Sequence, residues 1–339
     1  MSLLTWFRFR QNGRHLQARA CSFVPFLSVV MTSEDTSFVE LEHLNVDLPV
    51  LPHTFLLAMG LSRQVDEIEI EEVVEVIEND PGAVARVLKV VNSAYYGLRR
   101  EVTSLYRAVV GLGPQAVLGI VMSVSLQDMK EHLHVTTSDA FHRLIRHNVA
   151  VGFFARQVVS MSRLGNQRVT NGEDYTSEAF TLGLLHDYGK IVFFYNHPEE
   201  ARAFYEEKHE VDISAQDLLA EERRRFGFDH VQAGQYLMHE LNFLRSMEMT
   251  VAAHHNYAEP ADRSASEQYL LNVVVASNKL ANVMGFSFNH IISRKSFIED
   301  PFWDELLEAN FFEEKDKTLL FESCFGLKER ASAYLNEII

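Results

Sequence analysis

The chain has 339 residues, of which 47% are hydrophobic and 23% are charged, a balance typical of a soluble globular protein of about two domains. Its formal net charge of −16 disfavours nonspecific binding to nucleic acid, because the overall field repels phosphate before a local basic patch can act. The cysteines, Cys21 and Cys324, are too few for a disulfide framework or a thiolate metal site, so we expect a reducing, cytoplasmic setting.

Residues 1–40 are predicted to form a poorly ordered leader. Residues 1–30 contain four arginines and no acidic residue, and Pro25 interrupts the short apolar run from Phe23 to Met31. That run is too short for a good signal peptide, and no apolar run in the chain approaches the ~20 residues of a membrane-spanning helix. A basic segment that lies on a membrane surface is the alternative to a disordered extension.

Residues 41–135 are predicted to form a first helical half. Pro52 suits the first turn of its first helix. A helix over Ile70–Glu78 is predicted next, because apolar residues recur on one face and glutamates occupy the other. Asp80 and Pro81 then suit the N-cap and the first position of the following helix.

A set of short motifs at fixed spacing runs through this half. Asn92 and Ser93 suit the end of a helix and Gly97 suits a tight turn, so a structural role is favoured over a chemical one. The motifs are Leu48-Pro49, Leu51-Pro52, Asp80-Pro81, Leu88, Asn92-Ser93-Ala94, Tyr96-Gly97, Ser104-Leu105, Ala108-Val109 and Leu112-Gly113. Together they resemble the HDOD family, the HD-related output domain of bacterial signalling proteins, and the resemblance extends over residues 46–285.

Residues 136–285 are predicted to form an HD-like helical bundle. Asp139 opens a long helix on which His147 shares an apolar stripe with Leu144 and Val151. A lone histidine in such a stripe is more often a core residue than a ligand. Here the histidines later in the chain would converge on the same core, so both readings stay open.

The His186-Asp187 pair is the strongest chemical signal in the sequence. A neutral imidazole and a carboxylate both bind borderline divalent metals, and both can reach one ion if the backbone is helical at the pair. We predict that the pair lies inside one helix that continues to Tyr195. Lys190 follows and could contact a phosphate as a point charge. The further candidate ligands are His147, His230, His254, His255 and Asn278.

The order of these residues resembles the metal centre of the HD superfamily. The resemblance implies a ligand set of His147, His186 and Asp187, with Asn278 in the place of a final aspartate. An amide oxygen is a neutral and weaker ligand for a divalent cation. The site also loses a negative charge that would offset the charge of the metal.

His230, His254 and His255 would form a second cluster, as in the two-metal HD-GYP phosphodiesterases for cyclic dinucleotides. The doublet lies at the end of a helix predicted over Leu241–His255. It is followed by Asn256 instead of the glutamate of those enzymes, and their Gly-Tyr-Pro motif is missing. The candidate ion is iron, manganese, nickel, zinc or magnesium.

We predict an all-α protein with two packed helical subdomains, the second an HD-like bundle, and a helical tail over residues 286–339 that packs on the body. The resemblance implies non-catalytic signalling in a bacterial regulatory pathway, through protein partners and a nucleotide ligand. In that case the site would be a vestigial polar core, with His186 hydrogen-bonded to Asp187 or Asn278.

Two alternatives to this function stay open. The first is a metal-dependent phosphohydrolase that acts on a nucleotide or a cyclic dinucleotide. The second, a regulator that binds nucleic acid, is disfavoured by the net charge. The basic cluster Arg223–Arg225 does not rescue it, because these arginines follow Glu221 and Glu222 and are predicted to occupy a solvated helix face.

Overall fold

Regular structure is α-helical throughout the described part of the chain. The computed structural model describes residues 46–339 with breaks at 48, 50, 63–67, 94, 133–138, 166–174, 210–212, 241–242, 244, 258–262 and 289–291. The predicted leader lies outside the described residues. Within them, extended backbone pairs only at an isolated bridge between Ser162 and Phe312. The prediction of an all-α fold is therefore confirmed.

The first helices are α1 (His53–Ser62), α2 (Ile70–Glu78), α3 (Pro81–Val91), α4 (Leu105–Leu112) and α5 (Pro114–His132). Helices α2 and α3 begin where the sequence predicts, whereas α1 begins one residue after Pro52. Asp80 accepts a hydrogen bond from the backbone nitrogen of Ala83 at 2.9 Å, and Ser104 caps α4. Asn92 follows α3 and exchanges hydrogen bonds of 2.7 and 2.8 Å with the backbone of Val102. The predicted structural role of Asn92 is therefore confirmed.

A long central helix organises the next part of the chain. The helices here are α6 (Asp139–Met161), α7 (Tyr175–Leu185), α8 (Gly189–Asn196), α9 (Pro198–Lys208), α10 (Ala215–Phe226), α11 (His230–Glu240), α12 (Arg245–Ala253) and α13 (Ala265–Val283). Helix α6 packs along α7 and α13. A Cβ atom on Gly183 would lie 2.7 Å from the Cα atom of Gly152, so only glycines allow α6 and α7 to approach this closely.

A second glycine contact joins α8 to α11. A Cβ atom on Gly189 would overlap the carbonyl oxygen of His230 and would lie 2.6 Å from the backbone nitrogen of Gly234. The first residue of α8 therefore rests directly on the first turn of α11. This contact places His230 beside the residues that immediately precede Gly189.

Two of the predicted helices are wrong in their extent. The His186-Asp187 pair lies in a turn between α7 and α8 instead of inside one continuous helix. The helix predicted over Leu241–His255 begins only at Arg245 and ends at Ala253. Both candidate sites therefore draw ligands from turns that directly follow a helix.

The last helices are α14 (Arg294–Ile298), α15 (Pro301–Glu308), α16 (Lys317–Phe325) and α17 (Lys328–Ile338). Tyr334 of α17 packs against Phe153 and Tyr95, with ring centroids 5.6 and 5.1 Å apart. None of the described helices combines the length and the apolar character that crossing a bilayer requires. The boundaries proposed between the two halves and the tail stay predictions.

Candidate metal centre

Asp187 lies at the centre of a buried cluster of histidines. Its side chain is only 2% exposed. The backbone nitrogen of Tyr188 donates to the carbonyl of Leu185 at 2.9 Å, and that of Lys190 donates to the carbonyl of Asp187 at 3.0 Å. These bonds close a tight turn, so the carboxylate projects inward although the backbone at the pair does not continue α7.

Each oxygen of Asp187 faces a different pair of histidines. Oδ2 lies 3.7 Å from Nε2 of His147 and 3.6 Å from Nε2 of His186. Oδ1 lies 3.3 Å from Nε2 of His230 and 3.5 Å from Nε2 of His254. The carboxylate is therefore shared by two groups of candidate ligands.

These two groups contain the predicted histidine and aspartate ligands. In each group the candidate ligand atoms lie within 4.8 Å of one another. The first group consists of His147, His186 and Asp187, and the second consists of Asp187, His230, His254 and His255. The structure therefore brings together six of the residues that the sequence singled out, from α6, α11 and two turns.

Backbone carbonyls orient three of the imidazole rings. The Nδ1 atom lies 2.8 Å from the carbonyl oxygen of Phe286 in His147, 2.9 Å from that of Gly183 in His186 and 2.7 Å from that of Val251 in His254. A carbonyl can only accept a hydrogen bond, so Nδ1 carries the proton and Nε2 presents its lone pair to Asp187. This tautomer lets Nε2 bind a metal ion while the Nδ1–H group is held by a backbone acceptor.

The fourth ring, that of His230, is oriented by a carboxylate that the sequence pattern did not single out. Nδ1 of His230 lies 2.6 Å from Oε2 of Glu222, which also accepts the backbone nitrogen of His230 at 2.9 Å. Glu222 is fully buried, although it stands in a run of charged residues that predicted a solvated face. The sequence did contain a sign of this burial, because Glu222 follows Leu218 by four residues and so lies on the same buried face of α10.

Lys190 belongs to the same buried cluster. Its side chain is 4% exposed, and Nζ lies 2.5 Å from Oδ2 of Asp187. The ammonium group also lies 5.1 Å from the ring centroid of Phe288. Lys190 therefore neutralises the carboxylate oxygen that faces His147 and His186.

Burial sets the protonation state of the cluster. Burial lowers the pKa of His147 to about 4 and outweighs the opposing effect of Asp187. It also lowers the pKa values of His186 and His254. Burial alone would raise the pKa of Asp187, but Lys190 and the surrounding histidines hold that pKa well below its usual range. The carboxylate is therefore ionised and these three rings are neutral, as metal ligands must be.

His230 titrates in the opposite direction. Burial lowers its pKa, but the charge of Glu222 and its hydrogen bond to the ring more than compensate, so the net pKa of His230 is raised. The pKa of Glu222 is lowered, because His230 and Lys190 outweigh the effect of burial. Histidine and glutamate therefore stabilise each other's charged form.

Unpaired buried atoms test whether these residues fit a metal ion. Nε2 of His186, Oδ1 of Asp187 and Nε2 of His254 are buried and have no hydrogen-bond partner. The predicted hydrogen bond from His186 to Asp187 or Asn278 is therefore wrong. Buried polar atoms without a partner are costly, and a divalent cation among these imidazoles and the carboxylate would satisfy all three. The donor set fits a metal ion.

A cavity of about 480 Å³ opens beside the cluster. His147, Asp187, Lys190 and His254 form part of its wall, so both ligand groups reach it. Asn278 also lines it, with Oδ1 accepting a hydrogen bond from Asn282 at 3.0 Å. The other lining residues include Ile213, Ser214, Gln216, His255, Asn256, Tyr257, Lys279, Phe288 and Ile292. The cavity is therefore open to a polar ligand that touches the cluster.

Comparison with known proteins assigns the family. Residues 48–257 match the model of the HDOD domain. The chain belongs to the HDOD family. An uncharacterised protein of Treponema pallidum (strain Nichols) is 25% identical to this HDOD chain over 234 residues, which are 68% of this chain and 42% of the relative. The HDOD chain thus spans less than half of that relative's length.

Solved structures share the fold of this HDOD protein. A crystal structure of an HDOD domain protein of unknown function from Geobacter sulfurreducens has a TM-score of 0.69 and 20% identity, and the match covers 89% of this chain and 97% of that one. A protein from Marinobacter aquaeolei VT8, for which a role in signal transduction has been suggested, has a TM-score of 0.64 and 18% identity, with 88% and 61% covered. A protein from Shewanella amazonensis SB2B, for which a metal-dependent phosphohydrolase activity has been suggested, has a TM-score of 0.57 and 16% identity, with 88% and 95% covered.

Proposed function

We propose that this HDOD protein is a non-catalytic regulator that binds divalent metal at Asp187 and a phosphate-bearing ligand in the adjoining cavity. The observation that carries the proposal is the convergence of four histidine Nε2 atoms on one buried carboxylate, with every Nδ1 atom held by an acceptor. A merely vestigial core would not need all four rings in the metal-binding orientation. The occupied site would then be read by a signalling partner protein.

Different residues of the site would bind the metal ions and the phosphate. His147 and His186 would hold an ion on one side of Asp187, and His230, His254 and His255 would hold one on the other side. A bound divalent metal supplies positive charge that attracts and polarises a phosphoryl oxygen. Lys190 lines the cavity beside Asp187, so its ammonium group adds a further positive charge where the phosphate would enter.

The charge balance of the site favours binding over hydrolysis. Asp187 is the only carboxylate in either of the two described ligand groups. Asn278, on the cavity wall, offers a neutral amide where the HD enzymes are expected to carry an aspartate. A carboxylate there would offset the metal's charge and orient an attacking water, and an amide does neither in full.

A binding experiment tests the proposal. Pyrophosphate, as a minimal phosphate-bearing probe, is titrated into manganese-loaded protein and into chelator-treated protein by calorimetry. We expect binding only to the loaded protein, and weaker binding to Lys190→Ala. Equal binding to the loaded and stripped forms would contradict a metal-dependent ligand site.

A metal-dependent phosphohydrolase is the second candidate function. One observation favours it, namely that Asp187 is shared by two ligand groups, as a bridging carboxylate in a two-metal hydrolase is. The protein is loaded in turn with manganese, iron or nickel and assayed with bis(p-nitrophenyl) phosphate and a cyclic dinucleotide. Turnover that Asp187→Ala abolishes would replace the non-catalytic proposal with this one.

A further inference from the structure

We infer that Glu222 is the positioning residue that makes His230 a metal ligand, by fixing the ring so that Nε2 and not Nδ1 carries the lone pair. Nε2 of His230 lies 3.1 Å from Nε2 of His255, which can donate a hydrogen bond to that lone pair when no metal is bound. The inference rests on the metal binding proposed above. It gives a role to a buried carboxylate that lies outside both ligand groups.

Three donors hold the Glu222 carboxylate in one orientation. Oε2 accepts from Nδ1 of His230 at 2.6 Å and from the backbone nitrogen of the same residue at 2.9 Å. Oε1 accepts from the hydroxyl of Tyr205 at 2.8 Å. Both Glu222 and Tyr205 are fully buried, so water does not compete for these bonds. The carboxylate can therefore neither rotate nor exchange its partner without breaking a buried hydrogen bond.

The negative charge of Glu222 also favours a cation on the far side of the His230 ring. Among the described residues, neither a lysine nor an arginine forms an ion pair with Glu222, and its ionic contact is His230. A buried carboxylate is stable only if positive charge compensates it. The imidazolium form of His230 can supply that charge in the metal-free protein. An ion bound to Nε2 would take the place of the Nε2 proton and supply the charge from the far side of the imidazole, and the carboxylate would in turn strengthen the ring as a donor.

This arrangement distinguishes His230 from the other converging histidines. His147, His186 and His254 are each oriented by a neutral backbone carbonyl. His230 is oriented by a full negative charge, so it should be the strongest donor of the four. We therefore expect the group of His230, His254 and His255 to hold its ion more tightly than the group of His147 and His186.

The test is the Glu222→Gln variant, with Glu221→Gln as its matched control. Glu221 is the neighbouring residue, and its side chain is 29% exposed and pairs with Lys208 at 2.6 Å. Zinc affinity is measured by competition with a chelator, and zinc content by elemental analysis. We expect Glu222→Gln to lose about 10–100-fold in affinity for the more tightly held ion. Glu221→Gln should bind as the wild type does.

The tautomer of His230 provides a readout that a purely structural role would not change. The ¹⁵N spectrum of histidine-labelled, metal-free protein is recorded at alkaline pH, where the imidazoles are neutral. We expect the proton on Nδ1 in the wild type. The amide oxygen of Glu222→Gln can still accept from Nδ1 and from the backbone nitrogen of His230, so the tautomer is tested in Glu222→Leu, which removes the acceptor. In this variant we expect the proton to move to Nε2, which faces Oδ1 of Asp187. An unchanged tautomer in Glu222→Leu would overturn the inference.

Folding of the variant is checked by circular dichroism. If Glu222→Gln does not fold, Tyr205→Phe takes its place, because it keeps the carboxylate and removes only one of its donors. It should then show a smaller loss of zinc affinity, and wild-type affinity would overturn the inference. Wild-type protein that binds no metal would overturn the proposed function and the inference together. Zinc binding that is equal in the wild type, Glu222→Gln and Glu221→Gln would overturn the inference alone.

Discussion

Gly189 lies so close to the carbonyl group of His230 that a Cβ atom at position 189 would overlap it. The glycine that follows the His186-Asp187 turn therefore seats the first turn of α8 on the first turn of α11. This contact, made by backbone alone, brings His230 from α11 to the carboxylate of Asp187. The geometry of the candidate metal centre thus depends on a residue that has no side chain.

Gly189→Ala is expected to destabilise the protein by about 1–3 kcal/mol, because the added methyl group must push two backbone segments apart. It should also weaken metal binding, since His230 would move away from Asp187. Thermal unfolding and zinc titration measure the two effects. Gly111→Ala is the control, because its Cβ atom would meet nothing within 4 Å. Equal stability of the two variants would contradict the close contact.

Lys190→Met is expected to destabilise the metal-free protein by about 3–5 kcal/mol, because it leaves the buried Asp187 carboxylate without its cation. Metal should then stabilise this variant more than it stabilises the wild type, since Lys190 no longer competes for Oδ2. Thermal unfolding with and without zinc tests both statements. The control is Lys208→Met, whose partner Glu221 is partly exposed. We expect a loss of at most about 1 kcal/mol there.

Asn92→Ala is expected to lower the stability of the protein without changing its metal affinity. The side chain of Asn92 bonds the carbonyl of Leu88 and both backbone groups of Val102, so its loss should cost about 1–2 kcal/mol of unfolding free energy. Metal affinity should stay at the wild-type value. Asn79→Ala is the milder control, because it removes one bond to the carbonyl of Glu75 in α2, the helix that Asn79 directly follows. Loss of metal from Asn92→Ala would instead give this residue a role in the site.

The sequence correctly predicted those helices whose capping residues and apolar spacing lie close together in the chain. Asp80 and Pro81 mark the start of α3, and the apolar stripe of α6 carries His147 inward. The helix boundaries that were predicted wrongly depend on contacts between residues far apart in the chain. The turn at His186-Asp187 forms where α8 must seat on α11, a condition that the apolar run before the pair does not reveal.

The role of Glu222 was not predicted for the same physical reason, namely that it depends on contacts between residues far apart in the chain. Glu222 stands between charged neighbours, and short-range patterning places such a run in solvent. What buries it is Tyr205 from α9 and His230 from α11, each brought to it by packing of separate helices. The sequence could predict which histidines converge on Asp187, but it could not predict that a second carboxylate orients one of them.

The most direct test of the centre is the metal content of the protein after purification without chelators, for the wild type and for Asp187→Asn. The variant keeps the size of the side chain and removes the charge that both ligand groups share. We predict at least one divalent ion per wild-type chain, and a loss of at least about 10-fold in metal affinity for Asp187→Asn. A wild-type protein that neither retains nor takes up a divalent ion, or a variant that binds it equally well, would contradict the account.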